Sequence, residues 1–259
     1  MELINLISGR IDVFILILAR VSGIFTTAPV YSSRNLSVQL KAGMSGLIAL
    51  IILPIIPPQE VQMTTNLWGY ALMIASELLL GLAIGFIVGL IFAAIQTAGG
   101  VIDMQIGFSM VNVFDPMFGT PVPLIGNFKY MLALLVFLAT NSHHYVLEAL
   151  VASFKAVPLG NAGLSTQAVD MIISLGGTMF YTALKIAIPV TGALLVAEVV
   201  LGLMARTVPQ MNVFIVGVPG KIFFGLIMLI VTIPIFVLLL DGMFNQNYHE
   251  LLRIISVMQ

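Results

Sequence analysis

The sequence predicts an all-α integral membrane protein with about six long hydrophobic helices, some of them broken or folded as hairpins. Two observations carry that prediction. The hydrophobic fraction is 60% and the mean hydropathy is +1.13. Charged residues make up 8% of the 259 positions, where a soluble domain carries about 25%. So little polar surface could not cover this chain in water, which excludes an ordinary soluble enzyme and a disordered protein. A net charge of −1 provides no field for holding a nucleic-acid backbone, so no nucleic-acid partner is expected. With no cysteine, disulfides, thiolate zinc sites and cysteine nucleophiles are excluded.

The elements follow from where charges interrupt the apolar runs. Residues 11–30 read as an uncleaved first helix, because Arg20 breaks the apolar core that a signal peptide would need. Residues 42–59 form a second segment, interrupted by Pro54. Residues 68–102 form a third, and 171–206 a fifth. Both run well past the roughly 20 residues that cross a bilayer, so each either extends beyond it or breaks partway. Gly99-Gly100 and Val208-Pro209 are the expected breaks. The fourth segment is 130–147, ending near His143 and His144, and the sixth is 222–240. On this drawing Arg34, Lys41, Lys129, Arg206 and Lys221 fall in loops on one side, and Arg10, Lys155 and Arg253 on the other. That balance favours termini outside.

An internal repeat underlies the two over-long segments. Glu77-Leu-Leu-Leu-Gly81-Leu82 recurs as Glu198-Val-Val-Leu-Gly202-Leu203. Each copy is an acidic helix expected to run on into a polar reversal, over 96–107 in the first half and 206–221 in the second. Gly81, Gly85 and Gly89 are spaced every four residues, a smooth stripe that lets helix backbones approach closely in lipid.

Arg20, Glu77, Asp103, Lys185 and Glu198 lie inside apolar segments, at about 2.5–3.5 kcal/mol each on insertion scales. They must face protein or water. Structural charge pairing, the lining of a polar conduit and a proton relay are all compatible with their pattern.

The stretch 107–127 holds three prolines and three glycines, which forbid a continuous helix. Its Phe108, Met110, Phe114 and Met117 nevertheless make it strongly apolar. A lipid-exposed loop would leave its backbone unsatisfied, so this one must be buried in protein or line a cavity. Two readings stand: a displaceable gate in a pore, and a re-entrant packing loop.

Enzyme and metal motifs fail on inspection. His249-Glu250-Leu251-Leu252-Arg253 lacks the second histidine of a zinc motif, and Gly220-Lys221-Ile222 lacks the Ser or Thr of a phosphate loop. Ser109 lacks the final glycine of a nucleophile elbow. No catalytic residue, metal site or cofactor is expected.

Two motif blocks are specific. Gly100-Val-Ile-Asp103-Met-Gln105-Ile-Gly107, followed by Phe114-Asp115-Pro116, resembles the FliR family of flagellar export-gate proteins. Val208-Pro209-Gln210-Met-Asn212, continuing to Gly217-Val-Pro219-Gly220-Lys221, resembles it too, as do Ala19-Arg20-Val-Ser-Gly23 and Ala28-Pro29-Val30. The resemblance spans essentially the whole chain, and injectisome homologues of the SctT type share much of it.

The resemblance implies a single FliR-like membrane domain over 1–259, a FliP-like part over 1–151 and a FliQ-like part over 152–259. FliQ-like chains carry a Gln-rich turn before Pro-Lys. Here Gln210, Pro219 and Lys221 stand in that place, with Gly220 inserted. The resemblance further implies a subunit of the flagellar type III export gate in the bacterial inner membrane, at the flagellar basal body. It would form a secretion pore with FliP-like and FliQ-like subunits, alongside FlhB-like and FlhA-like components, and pass unfolded export substrates without catalysis. Phe108, Met110, Phe114, Asp115, Pro116 and Met117 would belong to its plug. The alternatives are an injectisome export-gate subunit and an ion-coupled membrane carrier.

Overall fold

A computed structural model describes residues 10–33, 36–56, 66–108, 123–161, 165–208, 210 and 213–258. The described residues hold seven α-helices: α1 Ile11–Thr27, α2 Val38–Ile52, α3 Leu67–Ile106, α4 Leu124–Ala139, α5 Ser142–Ala156, α6 Thr166–Thr207 and α7 Val213–Val257. A 3-10 turn, Leu53–Ile55, extends α2 through Pro54, which sits at its start where a missing N–H costs nothing. By length and composition Val38–Ile55, Leu67–Ile106, Thr166–Thr207 and Ile215–Val257 can each cross a membrane, and the bent pair α4 and α5 adds a fifth span if the two count as one.

Local chemistry sets several boundaries. Ser37 caps α2 by accepting the Leu40 N–H at 3.3 Å, and Ser165 caps α6 by accepting that of Ala168 at 3.1 Å. The fourth hydrophobic segment is divided at Asn141, whose φ of 57° places it in the left-handed region that Asn tolerates. Helix α6 ends at Thr207, where the residue before Pro209 is pushed out of the helical region.

One expected interruption is absent, and the one over 206–221 is shorter than expected. The chain stays helical through Gly99-Gly100 to Ile106. It is also helical through 217–221, where Pro219 and later Pro234 lie inside α7. Membrane helices tolerate such prolines because neighbouring groups re-satisfy the freed carbonyls. The glycine pair has a different use, described below. The drawing of basic loops changes as well: Lys129 lies buried in α4 and Lys221 lies within α7.

The chain divides into two compact units, and the boundary runs through α3, α6 and α7. The first comprises Met1–Ile91, Asn141–Gly176 and Phe244–Gln259. Its centre is the crossing of α1 with the first part of α3. There a Cβ on Gly23 would lie 2.6 Å from the Leu78 carbonyl oxygen, one on Gly81 2.1 Å from that of Arg20, and one on Gly85 2.1 Å from Thr27 Oγ1. Gly89 is looser, 3.8 Å from the Thr27 carbonyl oxygen. Around this crossing Arg10 donates to the carbonyls of Leu53 and Ile56 (3.2 and 2.7 Å), which satisfies the end of the α2 segment.

The second unit comprises Phe92–Thr140 and Gly177–Met243. Here α3 and α4 cross at Gly99 and Gly126, where a Cβ on Gly99 would fall 2.2 Å from the Gly126 Cα. Phe92 packs edge-on against Tyr130 and Phe137. Apolar side chains of α6 and α7 such as Ile188, Val196, Phe223, Ile230 and Leu238 remain exposed, as a membrane or a partner helix would accept.

Candidate functional site

Three polar clusters stand out in the apolar frame. The first is in the first unit. Arg20 Nε donates to Glu77 Oε2 at 2.6 Å, and both side chains are fully buried. The other guanidinium nitrogens donate to Ser153 Oγ (3.3 Å) and the Val157 carbonyl (3.1 Å), and the Phe154 ring lies 4.3 Å from the guanidinium carbon. The second Glu77 oxygen accepts the Gly160 N–H at 2.9 Å. Gly160 has a φ of 87°, a conformation glycine adopts freely. A buried ion pair repays its desolvation only when the remaining donors and acceptors are also used, and here they are. The cluster ties α1, α3 and the turn after α5 into one piece.

The second cluster is in the second unit. Glu198 pairs with Lys221 through Oε1, and its Oε2 accepts from Gln105 Nε2 at 3.1 Å. Each acidic helix of the repeat thus carries a carboxylate paired with a base: Arg20 for Glu77 and Lys221 for Glu198. Gln105 and Lys221, drawn from the two separate motif blocks, meet on one carboxylate.

The third cluster is built on Asp103, whose side chain is almost wholly buried. Among the described residues it meets main-chain N–H groups and no basic side chain. Both carboxylate oxygens accept from the Ile125 N–H (3.1 and 3.0 Å), and Oδ2 also accepts from Gly126 (3.2 Å). The Asp103 carbonyl accepts from the N–H groups of Gly107 and Phe108, both at 3.1 Å.

The other sequence-selected residues fall as follows. Lys185 is exposed on α6, and among the described residues it has no ion-pair partner. Phe108 is half-buried, Gly107 has a φ of 104°, Gly217 is buried, and Gln210 and Pro219 are exposed. Met110, Phe114, Asp115, Pro116, Met117, Pro209 and Asn212 lie outside the described residues. Sequence reasoning missed Lys129: its ammonium sits 4.6 Å from the centre of the Phe236 ring, buried within the second unit. Its position on an apolar helical stretch was the available signal.

A family model described as bacterial export proteins, family 1, matches residues 11–247. The chain belongs to the FliR family of bacterial export proteins. The FliR-family match takes in all three clusters. The chain is 34% identical over 260 residues to the flagellar biosynthetic protein FliR of Bacillus subtilis (strain 168), covering 98% of this chain and 99% of that protein. It is 31% identical over 240 residues to the protein of the same name from Escherichia coli (strain K12), covering 92% and 91%. For that of Aquifex aeolicus (strain VF5) the identity is 28% over 231 residues, covering 88% of each chain. As a FliR-family member the protein is a non-enzymatic membrane component of flagellar protein export.

Proposed function

We propose that this chain is a subunit of the flagellar type III export gate that forms part of the secretion pore with FliP-like and FliQ-like subunits and supplies a plug from residues 107–127. FlhB-like and FlhA-like components would complete the apparatus at the flagellar basal body in the inner membrane, and unfolded export proteins would be its cargo. The observation that carries this reading is similarity to flagellar FliR proteins along nearly the full length of both chains. Those names also favour flagellar use over an injectisome.

Physical chemistry supports the plug. A non-helical apolar stretch needs a place in protein or in a pore, and an apolar constriction stops ions by dewetting. The described ends of the stretch are firmly held: Gly107 and Phe108 on the Asp103 carbonyl, Ile125 and Gly126 on its carboxylate. The carboxylates of the acidic helices are engaged in ion pairs, which suits an assembly role for Glu77 and Glu198 better than proton transfer. The FliP-like part, 1–151, and the FliQ-like part, 152–259, describe the chain's make-up along its length. Each compact unit draws on both.

The test is deletion of residues 109–118 in cells that also make the FliP-like and FliQ-like subunits. The complex should assemble and the membrane should become permeable to small ions or dyes. Phe114→Ala should leak less, since Phe108, Met110 and Met117 can fill part of the gap. An assembled, ion-tight deletion complex would overturn the plug.

A further inference from the structure

Within the second unit, Tyr181, Lys185, Ile188 and Val196 share one side of α6 at helical spacing, and all four are exposed. Lys185 is the only charge between 171 and 197. The charge-free runs beside it, 171–184 and 186–197, are both shorter than the roughly 17 residues that the shortest crossing needs. By contrast α7 offers 222–240 without a charge. Helix α6 therefore carries Asp170, Lys185 or Glu198 into any bilayer it crosses. Glu198 has its base in Lys221, whereas among the described residues Lys185 has no acid. A second feature falls at the same level. The usual helical donor to the carbonyl of residue 185 is the N–H of residue 189, and Pro189 has none. The Thr191 hydroxyl, in the same stretch, donates to the Ala187 carbonyl at 3.0 Å instead. A carbonyl without its helical donor needs another inside a membrane. Two turns beyond Lys185, a Cβ on Gly192 would meet nothing within 4 Å, so this side is open to close approach.

We propose that this side of α6 is the docking site for an apolar helix of a neighbouring export-gate subunit, which brings a carboxylate to the Lys185 ammonium. The inference rests on the gate reading and deepens it, naming a contact and its chemistry. Charge complementarity selects the occupant. An exposed cation on an apolar helix, with no acid from the described residues of its own chain, requires an anion from outside. Lipid tails would suit Ile188 and Val196 but would leave the cation embedded and unpaired. A carboxylate buried together with the ammonium removes that penalty when the pair's remaining polar groups are also met. A hydroxyl or amide on the incoming helix would serve the carbonyl of residue 185.

The test compares Lys185→Leu, Lys185→Arg and Lys185→Glu, each made alone and with the FliP-like and FliQ-like subunits. Pulse-chase half-life is measured for the lone chain, and recovered complex for the chain made with its partners. Docking on a carboxylate gives Lys185→Leu opposite effects in the two settings. The lone chain should live longer, while recovered complex should fall about tenfold, because the partner's carboxylate loses its cation. Lys185→Arg should keep the complex, and Lys185→Glu should recover less of it than Lys185→Leu. A photo-activated cross-linker placed at Ile188 should join an apolar partner segment that contains Asp or Glu. Changing that residue to Lys should then restore the Lys185→Glu complex. Undiminished complex from both Lys185→Leu and Lys185→Glu overturns the docking site and leaves the gate reading intact, as does a cross-link confined to lipid or to the same chain. If the unsubstituted chain forms no complex with those subunits, the gate reading and the docking site fall together.

Discussion

At the scale of single residues, Arg20 and Glu77 set the terms. The two charges are out of reach of water and every described polar contact around them is short and direct. Removing one charge from such a pair leaves the other buried and uncompensated, at about 3–5 kcal/mol. Glu77→Gln preserves shape and an acceptor for the Gly160 N–H yet strands the Arg20 guanidinium. It should therefore reduce the amount of complex recovered much more than the export rate per complex, measured by secretion normalised to complex. A normal complex with no export would instead favour a relay. That a charge in each apolar segment needs a partner was legible in the sequence, since its cost is a property of the residue. Which partner was not: Arg20 and Glu77 are brought together by a helix crossing, and Asp103 finds main-chain N–H groups across the α3–α4 junction. The sequence alone places Lys129 in a loop for the same reason, because its neighbour Phe236 is remote in the chain.

At the scale of elements, glycine governs how the helices meet. A glycine within a helix costs up to about 1 kcal/mol relative to alanine, so its presence marks either a break or a close approach. In the Gly81/Gly85/Gly89 stripe the four-residue spacing revealed a face, and α1 lies on it. At Gly99-Gly100 the sequence was ambiguous, and the deciding feature, Gly126, lies beyond the loop. The internal repeat sharpens the contrast. Gly81 is pressed against the Arg20 backbone, whereas a Cβ on its counterpart Gly202 would meet nothing within 4 Å. Gly81→Ala should thus force apart two backbones and cost about 1–3 kcal/mol, as over-packing does. Gly202→Ala should leave the chain's own fold untouched. Thermal melting of the purified complex, or protease resistance of the chain in membranes, would separate them; equal loss in both would show that the α1–α3 crossing is not the tight point described.

At the scale of the whole molecule, the question is what covers α6 and α7. Glu198 and Lys221 pair with 42% and 17% of their side chains accessible, and Lys185 is exposed on a helix long enough to cross a bilayer. Charges near the middle of a lipid-facing helix cost about 2.5–3.5 kcal/mol each on insertion scales. Apolar neighbours such as Val196 and Phe223 would be content in lipid, but these three charged groups would not. Protein neighbours bearing polar or oppositely charged groups answer the difficulty, and Gly202 offers a smooth place for a helix to approach. The chain made alone should be short-lived and heterogeneous in detergent. Made together with FliP-like and FliQ-like subunits, it should be recovered in one stable, monodisperse complex, with a half-life in pulse-chase well above that of the lone chain. Charge removal distinguishes this from simple lipid solvation. Lys185→Leu should improve the lone chain's survival, because it spares the membrane a cation, and should weaken recovery of the complex if a partner group meets that ammonium. A well-behaved monomer, fully active without the other subunits, would end the assembly reading altogether.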